Sequence, residues 1–216
     1  MLIELKEIVQ RYRLKIKGVV QIGSHWAEEH DVYKQLGIKK IVYVEPCKDA
    51  FEKMVAKMDA IGDSPIMYKV ACGETEAEME MYVSHNNQGQ SNSLLKPLLH
   101  LEQHREVVFT DKEIVKVVPL DKLLFDRNEY NLLVLDCQGF EGQILKGATD
   151  TLQYIDCIYT ECNRGQTYEG NMEIEEMDKY LEPFGFVRTD TYWPSPNWTW
   201  GDCTYIQKNL LLNDVA

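Results

Sequence analysis

Four positions carry most of the chemistry legible in this chain. Gly23 ends the apolar run in VVQIGSHWAEE, and Glu45 ends the next one in IVYVEPCK, 22 residues further on. A glycine after a strand lets backbone approach a ligand, and an acid at that distance is placed to accept hydrogen bonds from both ribose hydroxyls. A dinucleotide fingerprint would need glycines where His25 and Glu28 stand. His25 blocks a pyrophosphate and Glu28 repels it, so NAD and FAD are disfavoured. No Gly-Lys-Ser or Gly-Lys-Thr is present either. The pair suits a nucleoside without phosphates, such as S-adenosylmethionine. The plainer reading is that Gly23 only makes a tight turn and Glu45 only precedes a helix begun at Pro46. The other two positions are Asp136 and Glu141, in LLVLDCQGFEG. Either could take a proton. Asp136 could equally cap a turn, and Glu141 could be a first-turn acid favoured by the helix dipole.

Metal and thiol chemistry are less well supported. His100 and His104 are one helical turn apart and could join His85 on a metal, but a solvated helix face is the better reading. Asp136, Glu141 and Glu161 could hold a magnesium ion through oxygen ligands. A divalent metal stays open, and none is predicted. The six cysteines are scattered without a Cys-x-x-Cys pair, so they are expected to be reduced and to include no nucleophile.

The elements that must position these groups alternate. An amphipathic helix is expected over residues 2–13, within an accessory segment 1–16, then a strand over Gly18 to Ile22. Ser24 predicts the N-cap of a helix through Trp26, Tyr33 and Leu36, stopped by Gly37. Strands follow at Ile41 to Val44 and Ile66 to Val70, with a helix over Asp49 to Met58 between them. Further strands are expected at Glu78 to Ser84, Ile114 to Val118, Leu132 to Leu135 and Cys157 to Thr160. A helix is expected over Gln143 to Leu152. Phe186 to Thr191 and Cys203 to Gln207 read as a closing antiparallel pair. The short strand-helix periods predict a parallel sheet with helices on its faces.

Length and composition bound the reading. The chain has 216 residues, 44% hydrophobic and 27% charged. That predicts one soluble domain over 1–216, neither disordered nor fibrous. The net charge of -12 repels phosphate backbones, which argues against general nucleic-acid binding. No apolar run is long enough for a membrane span, and charges interrupt the first residues where a secretory signal would be apolar. A cytoplasmic protein is expected.

Taken in order, VVQIGSHWAEE, IVYVEPCKDAFEKM, VACGETEAEMEMYVS, QSNSLL, VPLDKLL and LLVLDCQGFEGQILKGA resemble the FkbM-type methyltransferase family over residues 18–190. The resemblance implies an α/β fold, the Rossmann-like class I methyltransferase sheet. That sheet has seven mostly parallel strands, an antiparallel last strand and helices on both faces. It implies S-adenosylmethionine as cofactor and O-methylation of a hydroxyl on a glycan or small metabolite. By position it puts Gln21, Gly23, Ser24 and His25 against the methionine part of the cofactor and Glu45, followed by Pro46, at the ribose. Ala71 and Cys72 would lie near the adenine, and Ser91, Asn92 and Ser93 would fold over the site. Asp136 and Glu141 match the Asp-x-x-Gly-x-Glu block, and Glu161 an acid after the following strand.

The chain departs from the family where Gln21 replaces an Asp or Glu and where Ala27 or Glu28 replaces a Gly. An alternative is therefore a fold that binds S-adenosylmethionine without catalysis and serves as a partner or recognition module. Methyl transfer to a hydroxyl mainly requires alignment and removal of one proton. Asp136, Glu141 and His25 are the catalytic candidates. Tyr192, Trp193, Trp198 and Trp200 could face an acceptor, fill the core, or meet a second copy in a homodimer.

Overall fold

The computed structural model describes residues 1–211, and the tail of the expected 1–216 unit lies outside them. Among the described residues ten strands are formed: β1 (Gly18–Ile22), β2 (Lys40–Val44), β3 (Ile66–Tyr68), β4 (Ala71–Cys72), β5 (Ala77–Val83), β6 (Asp111–Val118), β7 (Leu132–Leu135), β8 (Cys157–Asn163), β9 (Phe186–Tyr192) and β10 (Trp200–Gln207). Seven make one sheet in the order β3-β2-β1-β7-β8-β10-β9. Strands β3, β2, β1, β7 and β8 run parallel, and β10 is antiparallel to both β8 and β9. The Rossmann-like class I methyltransferase sheet is therefore present, with its last strand inserted antiparallel.

The central strands are buried along their whole length, which explains their unbroken apolar runs. Alternate residues feed opposite faces. Val19, Leu132 and Val134 pack with Leu5, Ile8, Tyr33, Met54 and Met58. These come from α1 (Leu5–Arg11), α2 (His30–Gln35) and α3 (Lys48–Ile61). Val20, Ile22, Leu133 and Leu135 pack with Ile144, Leu145, Met177 and Leu181 on the other face. Those belong to α5 (Glu141–Lys146) and α6 (Ile174–Leu181), while α4 (Leu99–Gln103) lies in the chain before β6 and α7 (Lys208–Leu211) follows β10.

The less regular middle of the chain builds a second sheet, β4-β6-β5, in which β5 and β6 pair antiparallel from Ala77↔Val117 to Val83↔Asp111. Its inner face, with Met81, Val83, Val115 and Val117, packs on Cys47 and Ala50 at the start of α3.

Four local expectations are corrected. Ser24 caps no helix, because His25 (φ 47°) and Ala27 (φ 58°) are left-handed and α2 begins only at His30. L-residues held so cost roughly 1–2 kcal/mol each, so no helix can run through them. The strand expected to reach Val70 ends at Tyr68, and Ala71 and Cys72 pair with β6 instead. The helix expected to reach Leu152 stops at Lys146, and a short 3-10 turn covers Thr151–Tyr154. The helix expected over residues 2–13 forms only as α1, and α6 had no counterpart in the sequence reading.

Candidate functional site

Strand order reverses between β1 and β7, and their register sets Gln21 beside Val134 and Ile22 beside Leu135. The turns beyond them therefore leave at one level. Gly23 N–H donates to Val44 O at 3.0 Å and Asp136 N–H to Ile22 O at 3.1 Å. A Cβ on Gly23 would run into the Asp136 carbonyl, and its φ is 74°, so only glycine fits both demands.

At this edge opens a cavity of about 350 Å³. Gln21, Gly23, Ser24, His25, Glu45, Pro46, Ala71, Cys72, Asn92 and Asp136 all line it. Ser91, Ser93 and Glu141 are not part of the wall. Ser91 Oγ accepts from Asn87 Nδ2 and Ser93 Oγ donates to Gln138 O, so both fix the loop from behind.

Glu45 is 6% exposed, and its two oxygens accept from His25 N–H and Cys47 N–H, each at 2.8 Å. Burial lifts its carboxyl to about 7 against the pull of those two N–H groups. His25 turns its ring toward Glu28 Oε1 at 2.6 Å and Gln88 O at 2.9 Å. Burial opposes its charged form, yet the bonds to Glu28 and Gln88 outweigh it and raise the imidazole. With both nitrogens engaged, His25 joins the first turn to the loop after β5.

Asp136 is exposed at the cleft, and desolvation by the surrounding wall, then the charge of Asp202, raises it to about 6. Glu141 is 2% exposed, and its Oε1 accepts from Cys137 N–H at 2.8 Å and Gly139 N–H at 3.4 Å. It holds the turn after β7. Gln138, which the sequence reading passed over, donates from Nε2 to Asp136 Oδ1 at 2.9 Å and to Glu161 Oε2 at 2.7 Å. Its only signal was a polar side chain between two acids that match the family block. The apolar wall of Met81, Leu94, Phe140 and Ile144, and Glu28 and Glu29, were missed as site residues too.

The model of the methyltransferase FkbM domain matches residues 20–188. The chain belongs to the FkbM methyltransferase family. It is also similar to the 2-O-methyltransferase NoeI of Sinorhizobium fredii, 24% identical over 178 residues that cover 78% of this chain and 72% of that protein. Among solved structures it is similar to magnesium protoporphyrin IX methyltransferase from Synechocystis with bound S-adenosylmethionine. There the TM-score is 0.54 at 8% identity, over 94% of this chain and 76% of that one. A S-adenosylmethionine-dependent methyltransferase from Clostridium acetobutylicum gives 0.55 at 8% identity, over 94% and 89%. This FkbM protein is thus a S-adenosylmethionine-dependent methyltransferase. The Gln and Ala where many FkbM members carry an acid and a glycine are accommodated. Gln21 hydrogen-bonds to Glu29, and Ala27 takes the left-handed conformation itself.

Among the described residues, no group of three or more His, Cys, Asp or Glu is placed to hold a metal. His85 meets Asp111, His100 meets Ser91, and His104 accepts from Trp200. All six cysteines are free thiols. None of Tyr192, Trp193, Trp198 and Trp200 lines the cleft. Trp198 and Trp200 stack on each other with centroids 5.3 Å apart, and Arg164 covers Trp193. Among the described residues no helix is long and apolar enough to cross a membrane.

Proposed function

We propose that this cleft binds S-adenosylmethionine and that the enzyme methylates a hydroxyl group of a sugar or a similarly hydroxylated small metabolite. The observation that carries the first part is Glu45. Backbone N–H groups pin both its oxygens at the floor of the cleft, which leaves their remaining lone pairs to take two ribose hydroxyls. The rest of the wall fits as well. Cys72, Met81, Leu94 and Phe140 offer apolar surface for a purine, and Gly23 brings backbone close to the ligand. When bound, the cofactor supplies an electrophilic methyl group.

Asp136 lines the same cleft, and a carboxyl raised to about 6 can accept a hydroxyl proton near neutral pH. We assign it as the base. A hydroxyl as acceptor is supported by the similarity to NoeI, a 2-O-methyltransferase. Calorimetry with S-adenosylmethionine, S-adenosylhomocysteine and NAD tests the cofactor, with binding expected for the first two. Glu45→Ala should weaken both by about tenfold to a hundredfold, the worth of hydrogen bonds to a charged group. An unchanged affinity would remove Glu45 from the ribose, and binding of NAD alone would sink the reading.

A further inference from the structure

A bound methionine moiety carries an ammonium, which needs an acid. In this chain β1 offers Gln21 where an acid is commonly found. Gln21 is 2% exposed and both ends of its amide are used. Tyr33 O–H donates to Gln21 Oε1 at 3.0 Å, which fixes the amide so that its Nε2 donates to Glu29 Oε2 at 3.0 Å. Tyr33 itself is fully buried in α2. Gln21 therefore lines the cleft with its amide committed to Tyr33 and Glu29.

Four carboxylates line the cleft: Glu28, Glu29, Glu45 and Asp136. Glu28 is bound to His25, Glu45 is held by two backbone N–H groups, and Asp136 takes Gln138. Glu29, beside the end of β1, takes Gln21 through Oε2, and its side chain is 18% exposed. Its Oε1 already faces a cationic nitrogen, the Met1 amino group at 3.7 Å, which is beyond hydrogen-bond reach. The left-handed residues His25 and Ala27 turn the chain back so that Glu29 reaches over Gln21.

We propose that Glu29 holds the cofactor's ammonium, the acid having moved from the strand to the turn, with Gln21 and Tyr33 as its positioning residues. This rests on the reading that the cleft binds S-adenosylmethionine. It also accounts for the amide at position 21: a second acid there would meet Glu29 as a like charge, whereas glutamine donates to it.

The test compares two ligands by calorimetry. S-adenosylhomocysteine carries the ammonium, and 5′-methylthioadenosine has the nucleoside and sulfur without the amino-acid part. Glu29→Gln should weaken S-adenosylhomocysteine by about tenfold or more and leave 5′-methylthioadenosine unchanged. The double variant Gln21→Glu with Glu29→Gln exchanges acid and amide and should recover most of the lost affinity. Equal weakening of both ligands would mean a structural role and would overturn the assignment. So would an unchanged S-adenosylhomocysteine affinity, or a double variant no better than Glu29→Gln. If the unaltered protein bound 5′-methylthioadenosine and S-adenosylhomocysteine equally well, the nucleoside reading would stand and the ammonium site would fall. If it bound neither, both would fall.

Discussion

Gln138 Nε2 donates to Glu161 Oε2 at 2.7 Å, and the second hydrogen of the same nitrogen goes to Asp136 Oδ1 at 2.9 Å. One amide thus sits between Asp136, exposed at the cleft, and the buried Glu161. Tyr168 O–H donates to Gln138 Oε1 at 2.8 Å, so the amide cannot flip. The backbone reaches this geometry through a left-handed Gln138 (φ 51°) and Gly139 (φ 95°), where a Cβ on Gly139 would press on the Tyr168 ring.

The first prediction follows from that bridge. Gln138→Glu replaces the donor with a third carboxyl beside Asp136 and the buried Glu161, and the lost bond to Glu161 is worth roughly 1.5–3 kcal/mol. The variant should unfold at lower urea than the unaltered protein at pH 8. Its deficit should shrink at pH 5, where added protons relieve the repulsion. Equal deficits at both pH values would contradict the account.

The second prediction concerns the pH dependence of the ligand-free protein. Glu45 is raised by burial to about 7, and Asp136, exposed at the cleft, to about 6 with a smaller share in stability, so the native state holds protons that the unfolded chain has released. Their contribution is whole below the unfolded carboxyl values near 4 and is lost as pH rises through 6 to 7. Unfolding midpoints should therefore fall between about pH 5 and 7.5. Ribose hydroxyls prefer the ionised Glu45, so affinity for S-adenosylhomocysteine should rise over the same range. A midpoint that climbs from pH 5 to 7.5 would remove these groups from the balance.

The strands were legible because apolar runs separated by glycines and helical spacings mark them locally, while their order across the sheet came only with the family resemblance. Val19/Val20 and Leu132/Leu133 show why: they are apolar on both faces, as a buried parallel strand requires. The turn 24–29 was not legible. Ser24 followed by Glu28 looks like a helix start, and nothing in residue type announces that His25 and Ala27 would be left-handed. Glu45 and Asp136 could be read from their place at strand ends. Glu141, from the same block, could not be separated from them, because facing the cleft or facing the turn depends on one rotation that only the fold sets. Gln138 and Glu29 act through pairings between distant segments, which spacing does not report.

The third prediction is for the aromatic cluster. Trp200 is half-buried, its indole N–H donates to His104 Nε2 at 2.9 Å, and it stacks on Trp198. It ties the start of β10 to His104 at the end of α4. Trp200→Ala should destabilise the protein by about 3 kcal/mol, the lower end of the cost for a large aromatic, with S-adenosylhomocysteine affinity unchanged. A variant with unaltered stability and a raised KM for a sugar acceptor would instead place Trp200 at the acceptor.

The last prediction separates Asp136 from Glu141, which sit at opposite ends of one turn. Glu141 accepts two backbone N–H groups while facing away from the cleft, so Glu141→Ala strands Cys137 N–H and Gly139 N–H inside the fold. It should cost roughly 1.5–3 kcal/mol of stability. Asp136 lines the cleft, and desolvation by the wall and the charge of Asp202 hold it partly against its ionised form. Asp136→Asn replaces it with a neutral group of the same shape, which should leave stability and S-adenosylhomocysteine affinity nearly unchanged. If Asp136 takes the hydroxyl proton, turnover with a sugar acceptor should fall by roughly a hundredfold or more. Urea unfolding, calorimetry and methyl-transfer rates on the two variants give opposite patterns. Full turnover in Asp136→Asn would show that another group, or solvent, removes the proton.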